Sequence, residues 1–370
     1  MRSTLLPWQS AAAAGTEQNR GIRHPGSRPI RYARRVDIQA IQTFLDNSDF
    51  SGVVLVRDGD RTIFEAAKGL ATQRWQVPNT LDTRFDTASI TKLFTSVAVL
   101  QQVDAGRLDL EASIHDYVDL GGSTIGTDVT LLHLLTHTSG IADDVDEEAG
   151  EDYDEFWAAT PSYSLIETSD FLPLFADKPR LAPPGVQCED CNVGYILAGL
   201  AVERASGLAY RDYVQEEIFA RSGMTDSGFF DRRDAVDRVA EGWDQREDGS
   251  WISNIYSSPA IGSPDSGAHT TAGDLMKFLN AVRGGQLLSK EYTEEFFTPQ
   301  VDYDDDVKYG FGLEFDLDDN GKVRSYYKDG VNAGASGILR HYPKSGLDVV
   351  VLSNAEEGAW DLVVEIDAQF

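Results

Sequence analysis

The sequence predicts an α+β fold: an antiparallel sheet flanked by helices, with a mostly helical second lobe inserted between its strands. Three observations carry this expectation. A hairpin pattern stands at residues 52–67, strand patterns return only after residue 309, and the stretch from 114 to about 260 has predominantly helical periodicity. Neither strand group is large enough to bury a sheet face alone, so the two are expected to join into one sheet. That gives an α/β lobe from 36–115 and 265–370 and a mostly helical lobe from 116–264, with a cleft between them.

Residues 1–35 carry seven arginines and a single acid, Glu17, and read as a disordered basic extension. Their apolar stretch, Leu5 to Trp8 broken by Pro7, is too short for a secretory signal, and no segment reaches the length of a membrane-spanning helix, so a cytoplasmic location is expected. Residues 52–57 and 62–67, separated by Asp58-Gly59-Asp60-Arg61, form the hairpin. Apolar residues at Ile90, Leu93, Phe94, Val97, Ala98 and Val103 then recur at helical spacing before Gly106, so a helix opens at Ser89. Further helices are expected at 131–135, 163–175, 193–206, 210–221 and 272–283, with turn residues dominating 257–273. Strands follow at 309–315, 323–327, 336–341 and 348–353, with turns at Asn320-Gly321 and Pro343-Lys344-Ser345-Gly346. A short amphipathic helix at 360–370 covers the sheet.

Lys+Arg 32 against Asp+Glu 61 gives a net charge of −29, which argues against nucleic acid or an anionic membrane as partner. Beyond the basic extension the chain is near −35, with acids crowding segments such as DDVDEEAGEDYDE at 143–155. So acidic a surface repels itself in dilute buffer and is screened by salt, so a high-salt working medium is expected. Cys188 and Cys191 form the one CxxC in the chain. A redox motif, half a metal site and a pair of small buried residues all remain open, while a four-thiolate zinc site within one chain is excluded.

Ser89-Ile90-Thr91-Lys92 places a hydroxyl and an amine one helical turn apart, which can make a nucleophile with its own proton acceptor. At a helix start the hydroxyl lies among unpaired backbone N–H groups, with the positive end of the helix dipole behind it. Ser325-Tyr326-Tyr327-Lys328 has the same spacing but reads as a strand, where residues three apart point to opposite faces. His133 and His137 have HxxxH spacing, yet Leu134 stands where a zinc protease needs glutamate. No metal or cofactor is expected.

With five ordered matches between about Phe50 and Asn354, the chain resembles the serine β-lactamase and penicillin-binding-protein superfamily, in its class C-like branch with D-aminopeptidases and small-ester hydrolases. The matches are SGVVLV with its following Gly-Asp, FDTASITK at 85–92, VTLLHLLTHTSGI ending at Ile141, APPG with NVGYILAGLAVERASG over 182–207, and YPKSGLDVVVLSN near the end. The resemblance implies a β-lactamase/transpeptidase-like fold and acyl transfer through a Ser89 ester, on a β-lactam, a D-amino-acid peptide or a small ester. It implies that Lys92 takes the hydroxyl proton, that Lys328 of Lys328-Asp329-Gly330 holds a substrate carboxylate or polarises the site, and that Gly330 lets substrate approach the backbone. The N–H groups of Ser89 and Val331 become the oxyanion hole. The chain departs at the expected Tyr-x-Asn, which here reads Asp190-Cys191-Asn192. Asn192 is retained, whereas Asp190 replaces a phenol with a shorter carboxylate that acts through a water, or leaves a homologue that binds a peptide- or acyl-like ligand without efficient turnover.

Overall fold

The computed structural model describes residues 36–145, 150–151, 153–246 and 248–370. The basic extension at 1–35 and part of the acidic segment at 143–155 lie outside the described residues. The first element is a helix not among the expected ones, α1 (Ile38–Asn47), with Ile38, Ile41, Phe44 and Leu45 at helical spacing and an Asp37 carboxylate that accepts the N–H groups of Gln39 and Ala40 at 3.0 and 3.1 Å. It buries only Ile41 and Leu45, so its apolar stripe is narrow.

The expected hairpin follows as β1 (Gly52–Asp58) and β2 (Arg61–Lys68). Six more strands come late in the chain: β3 (Val301–Asp302), β4 (Val307–Tyr309), β5 (Glu314–Leu317), β6 (Val323–Asn332), β7 (Ala335–Tyr342) and β8 (Leu347–Ser353). All eight join one antiparallel sheet in the order β2-β1-β8-β7-β6-β5-β4-β3. The two strand groups meet where β1 pairs along its whole length with β8, from Gly52 opposite Ser353 to Asp58 opposite Leu347.

Side chains alternate across the central strands, and both faces are buried. Val54, Val56, Val349 and Val351 face α1 and the C-terminal helix Trp360–Asp367. Val53, Leu55, Val350 and Leu352 face the larger core, built on α2 (Lys92–Asp104), α3 (Leu131–Leu135), α4 (Asn192–Ser206) and α5 (Ala272–Arg283). Among the described residues no helix is long and apolar enough to cross a membrane.

Four expectations are corrected. The strand at 309–315 is interrupted: Gly310 lies so close to Phe315 and Thr298 that a Cβ would come within 3.0 Å of the Thr298 carbonyl, and Gly312 has φ +80°, so 310–313 turns between β4 and β5. The strand at 323–327 runs on to Asn332, which puts Lys328-Asp329-Gly330 inside β6 rather than at a strand end. The helix at 163–175 is instead the 3₁₀ turns Ser162–Ser164 and Thr168–Phe171 followed by a single α turn, Leu172–Phe175. There the Asp170 carboxylate accepts the N–H groups of Ile166 and Glu167, diverting backbone donors from a helical ladder. Finally, among the described residues 224–268 hold no helix but a small hairpin, Trp243–Gln245 with Trp251–Ser253, so helix fills less of the middle of the chain than expected.

Candidate active site

Ser89 does not sit on the first turn of an α-helix. It lies in a 3₁₀ turn, Ala88–Thr91, that runs straight into α2 at Lys92. Three-residue periodicity eclipses positions i and i+3, which brings the lysine under the serine: Lys92 Nζ donates to Ser89 Oγ at 3.0 Å. The turn is held in an unusual backbone. Ala88 has φ +44°, fixed by its N–H donating to Asp86 Oδ1 at 2.8 Å and by Thr87 Oγ1 donating to the Ala268 carbonyl at 2.7 Å.

Lys92 is fully buried, and its ammonium is enclosed by polar groups from other elements. It donates to Asn192 Oδ1 at 2.6 Å, lies 3.7 Å from Asp190 Oδ2, and stands 5.8 Å from the ring centroid of Tyr195. Asn192 opens α4 and is oriented by its own partners, since its Nδ2 donates to Asp143 Oδ2 at 3.0 Å and to the Tyr153 hydroxyl at 3.2 Å. The Asp143 carboxylate also accepts the backbone N–H groups of Asn192 and Val193 at 2.9 and 3.0 Å, capping the helix from a distant segment. Burial pushes the Asp143 carboxyl up to about 6 against those backbone donors. Burial, with Asp143 and Asp265 nearby, pushes Asp144 up to about 7.

Asp190 bridges Lys92 and a histidine: its Oδ1 lies 3.1 Å from His137 Nε2. His137 Nδ1 accepts the N–H of Cys191 at 3.0 Å, so the ring proton belongs on Nε2, facing the carboxylate. Burial, opposed by Asp190, takes His137 down to about 3, and the imidazole is neutral at pH 7. Burial alone would raise Asp190, but Lys92 foremost, then His137 and Lys328, holds it well below the usual carboxylate range. Half of the Asp190 side chain remains exposed, 51%, so this carboxylate also faces solvent in the cleft.

Strand β6 supplies the opposite wall. A Cβ on Gly330 would fall 2.6 Å from the Thr87 carbonyl oxygen and 2.7 Å from the Ser89 nitrogen. Its lack of a side chain therefore lets β6 close on the serine turn. Val331 follows, opposite Ser336 of β7 and exposed. Lys328, far from being an exposed strand-end residue, is 3% exposed and engaged by Glu314 Oε1 at 2.7 Å and Asp329 Oδ1 at 3.5 Å.

The structure thus brings Ser89, Lys92, Asp190 and Asn192 together, with the backbone of Gly330 against the serine turn and Lys328 and Asp329 on the same strand. Sequence reasoning missed Glu314, Asp143 and the role of His137. Glu314 carried a signal, an acid inside the apolar run FGLEFDL, whereas the other two depend on contacts across about 50 residues of chain. The rival Ser325 donates to Asp316 Oδ2 at 2.6 Å and shares no partner with Lys328. His133 caps its own helix through Thr130, apart from His137. Cys188 and Cys191 are free thiols. Burial first, then nearby carboxylates, pushes Cys188 up to about 12 and Cys191 well above its ordinary value, so neither is a ready thiolate.

A family model described as Beta-lactamase matches residues 38–370. The structure of the penicillin binding protein from Bacillus halodurans superposes with a TM-score of 0.85 at 39% identity, over 89% of this chain and 100% of that one. Penicillin-binding protein 4* of Bacillus subtilis (strain 168) is 25% identical over 348 residues, 89% of this chain and 73% of that protein. The D-alanyl-D-alanine-carboxypeptidase/endopeptidase AmpH of Escherichia coli (strain K12) is 24% identical over 359 residues, 90% of this chain and 88% of that protein.

Proposed function

The chain belongs to the Beta-lactamase family, and on that premise we propose that it is a serine hydrolase working through a Ser89 acyl-enzyme on an amide or ester. The observation that carries this is the buried Lys92 Nζ 3.0 Å from Ser89 Oγ, oriented by Asn192.

In the proposed first step Ser89 Oγ bonds to the carbonyl carbon. Its proton passes to Lys92 Nζ as one of the lysine's own protons moves to Asp190, directly or through one water. The carbonyl oxygen takes up the negative charge under the N–H groups of Ser89 and Val331. When the carbonyl re-forms, the bond to the leaving group breaks and the stored proton returns through Lys92 to that group. A water molecule repeats the sequence on the ester, releasing the acid and restoring Ser89.

Asp190 is the weak link in this relay. Held well below the usual carboxylate range by Lys92, His137 and Lys328, it stores a proton poorly, so activated esters, whose leaving groups need little protonation, are turned over faster than amides. The same observation favours the second reading, a catalytically impaired homologue that binds a peptide- or acyl-like ligand. An alkyl fluorophosphonate followed by intact-mass measurement in molar salt separates the two. The hydrolase reading expects one adduct that disappears in Ser89→Ala, while a folded protein that takes up no label belongs to the second reading. We extend the proposal to the working medium: a net charge of −29 suits high salt.

A further inference from the structure

The lysine that would meet a substrate carboxylate already has carboxylates of its own. Lys328 Nζ lies 2.7 Å from Glu314 Oε1 and 3.5 Å from Asp329 Oδ1, and the face of Tyr309 stands 6.0 Å away. Glu314 reaches across from β5, where it stands opposite Tyr327, and its side chain is 12% exposed against 4% for Lys328. Burial lowers Lys328, but Glu314 and then Asp329 more than offset this and hold the ammonium charged; burial, helped by Asp329 and Asp190, leaves Glu314 above its ordinary value although the ammonium opposes it. A buried pair of this kind is separated only at the cost of leaving a charge uncompensated, so an incoming anion does not displace Glu314.

The rest of the site is no more welcoming to an anion. Lys92 is committed to Ser89, Asn192 and Asp190. His137 is neutral at pH 7, because burial lowers its pKa to about 3. The charges around the nucleophile are therefore Lys92 and Lys328 against Asp190, Glu314 and Asp329, an excess of negative charge before Asp143, Asp144 and Asp265 are considered.

We propose that Glu314 is a specificity-determining residue that neutralises Lys328, turning the site away from acyl donors with a carboxylate near the scissile bond and toward uncharged or ammonium-bearing ones. The inference rests on the Ser89 acyl-enzyme reading. It makes penicillin, which carries a carboxylate, a slower label of Ser89 than an uncharged fluorophosphonate.

Three 4-nitrophenyl esters of matched length test it: valerate (neutral), 5-aminovalerate (ammonium) and glutarate (carboxylate). kcat/KM is measured at fixed ionic strength, with active sites counted by fluorophosphonate labelling. The valerate and 5-aminovalerate esters are expected to exceed the glutarate ester by about tenfold or more, since like charges brought together in a site are strongly disfavoured. In Glu314→Gln the glutarate ester gains and the 5-aminovalerate ester loses, and Glu314→Asp restores part of the discrimination; a merely structural role would lower all three together. Labelled Ser89 with the glutarate ester preferred, or a folded Glu314→Gln with unchanged ratios, overturns the specificity alone. Absence of any Ser89 adduct overturns the acyl-enzyme reading and this inference with it. If the glutamine variant does not fold, the Glu314→Asp ratios decide the matter, and values identical to the wild type overturn the assignment to Glu314.

Discussion

Asp190 sits where the resemblance expects a phenol, and its surroundings define what a carboxylate can do there. It contacts Lys92 and the N–H side of a neutral His137, so it is a positioned acceptor with little affinity for the proton it accepts. Asp190→Asn keeps the size and removes the charge, and the burst rate with a 4-nitrophenyl ester should fall by about 10²-fold or more if Asp190 takes part in proton transfer. An unchanged burst would leave Lys92 working alone. At this scale the sequence was legible where spacing is local: Ser89, Lys92 and Asn192 follow from motif and order. Glu314 and Asp143 were not, because a carboxylate's partner across a sheet or at a remote helix start leaves no periodic trace.

Among the elements, the serine turn and strand β6 are fitted to one another through a single missing side chain. Gly330→Ala would drive a methyl against the Thr87 carbonyl and the Ser89 nitrogen. Relieving that clash should cost about 1–3 kcal/mol of stability, seen as a lower urea midpoint, and slow fluorophosphonate labelling of Ser89. Unaltered labelling would mean that β6 shifts without disturbing the turn. Helices α2 and α5 could be read from apolar spacing, and β8 from its run of valines. The 163–175 segment could not, because Asp170 competes for the same backbone donors through its side chain, and the 3₁₀ turn under Ser89 depends on tertiary anchors at Ala268.

For the whole molecule, acidity enters in two ways. Asp143 and Asp144 have folded-state values raised to about 6 and about 7. Their contribution to stability is therefore complete below the unfolded value near 4 and is lost as pH rises through 6 to 7. Asp144→Asn should gain on the wild type by about 1–3 kcal/mol between pH 5 and pH 8 in urea unfolding; parallel curves would show that the Asp144 carboxyl is not perturbed. The net charge of −29 acts over longer range and predicts a melting temperature that climbs from low to molar KCl. A flat response would leave the acidity without a role in stability. The single sheet was foreseen from the two strand groups, but not its full order, since β3 and β4 have only two and three residues.

The seam between β1 and β8 also sets a timetable for synthesis. Ser51 and Ser353 are joined by a hydrogen bond across 302 positions, so at about 5–20 residues per second the GVVLV strand waits roughly 15–60 s on the ribosome for its partner. Until then the emerging hairpin presents an apolar, unpaired edge that invites chaperones or a neighbouring nascent chain. Chains arrested before residue 347 should be digested rapidly by protease, while those arrested with residue 353 well clear of the exit tunnel should be resistant.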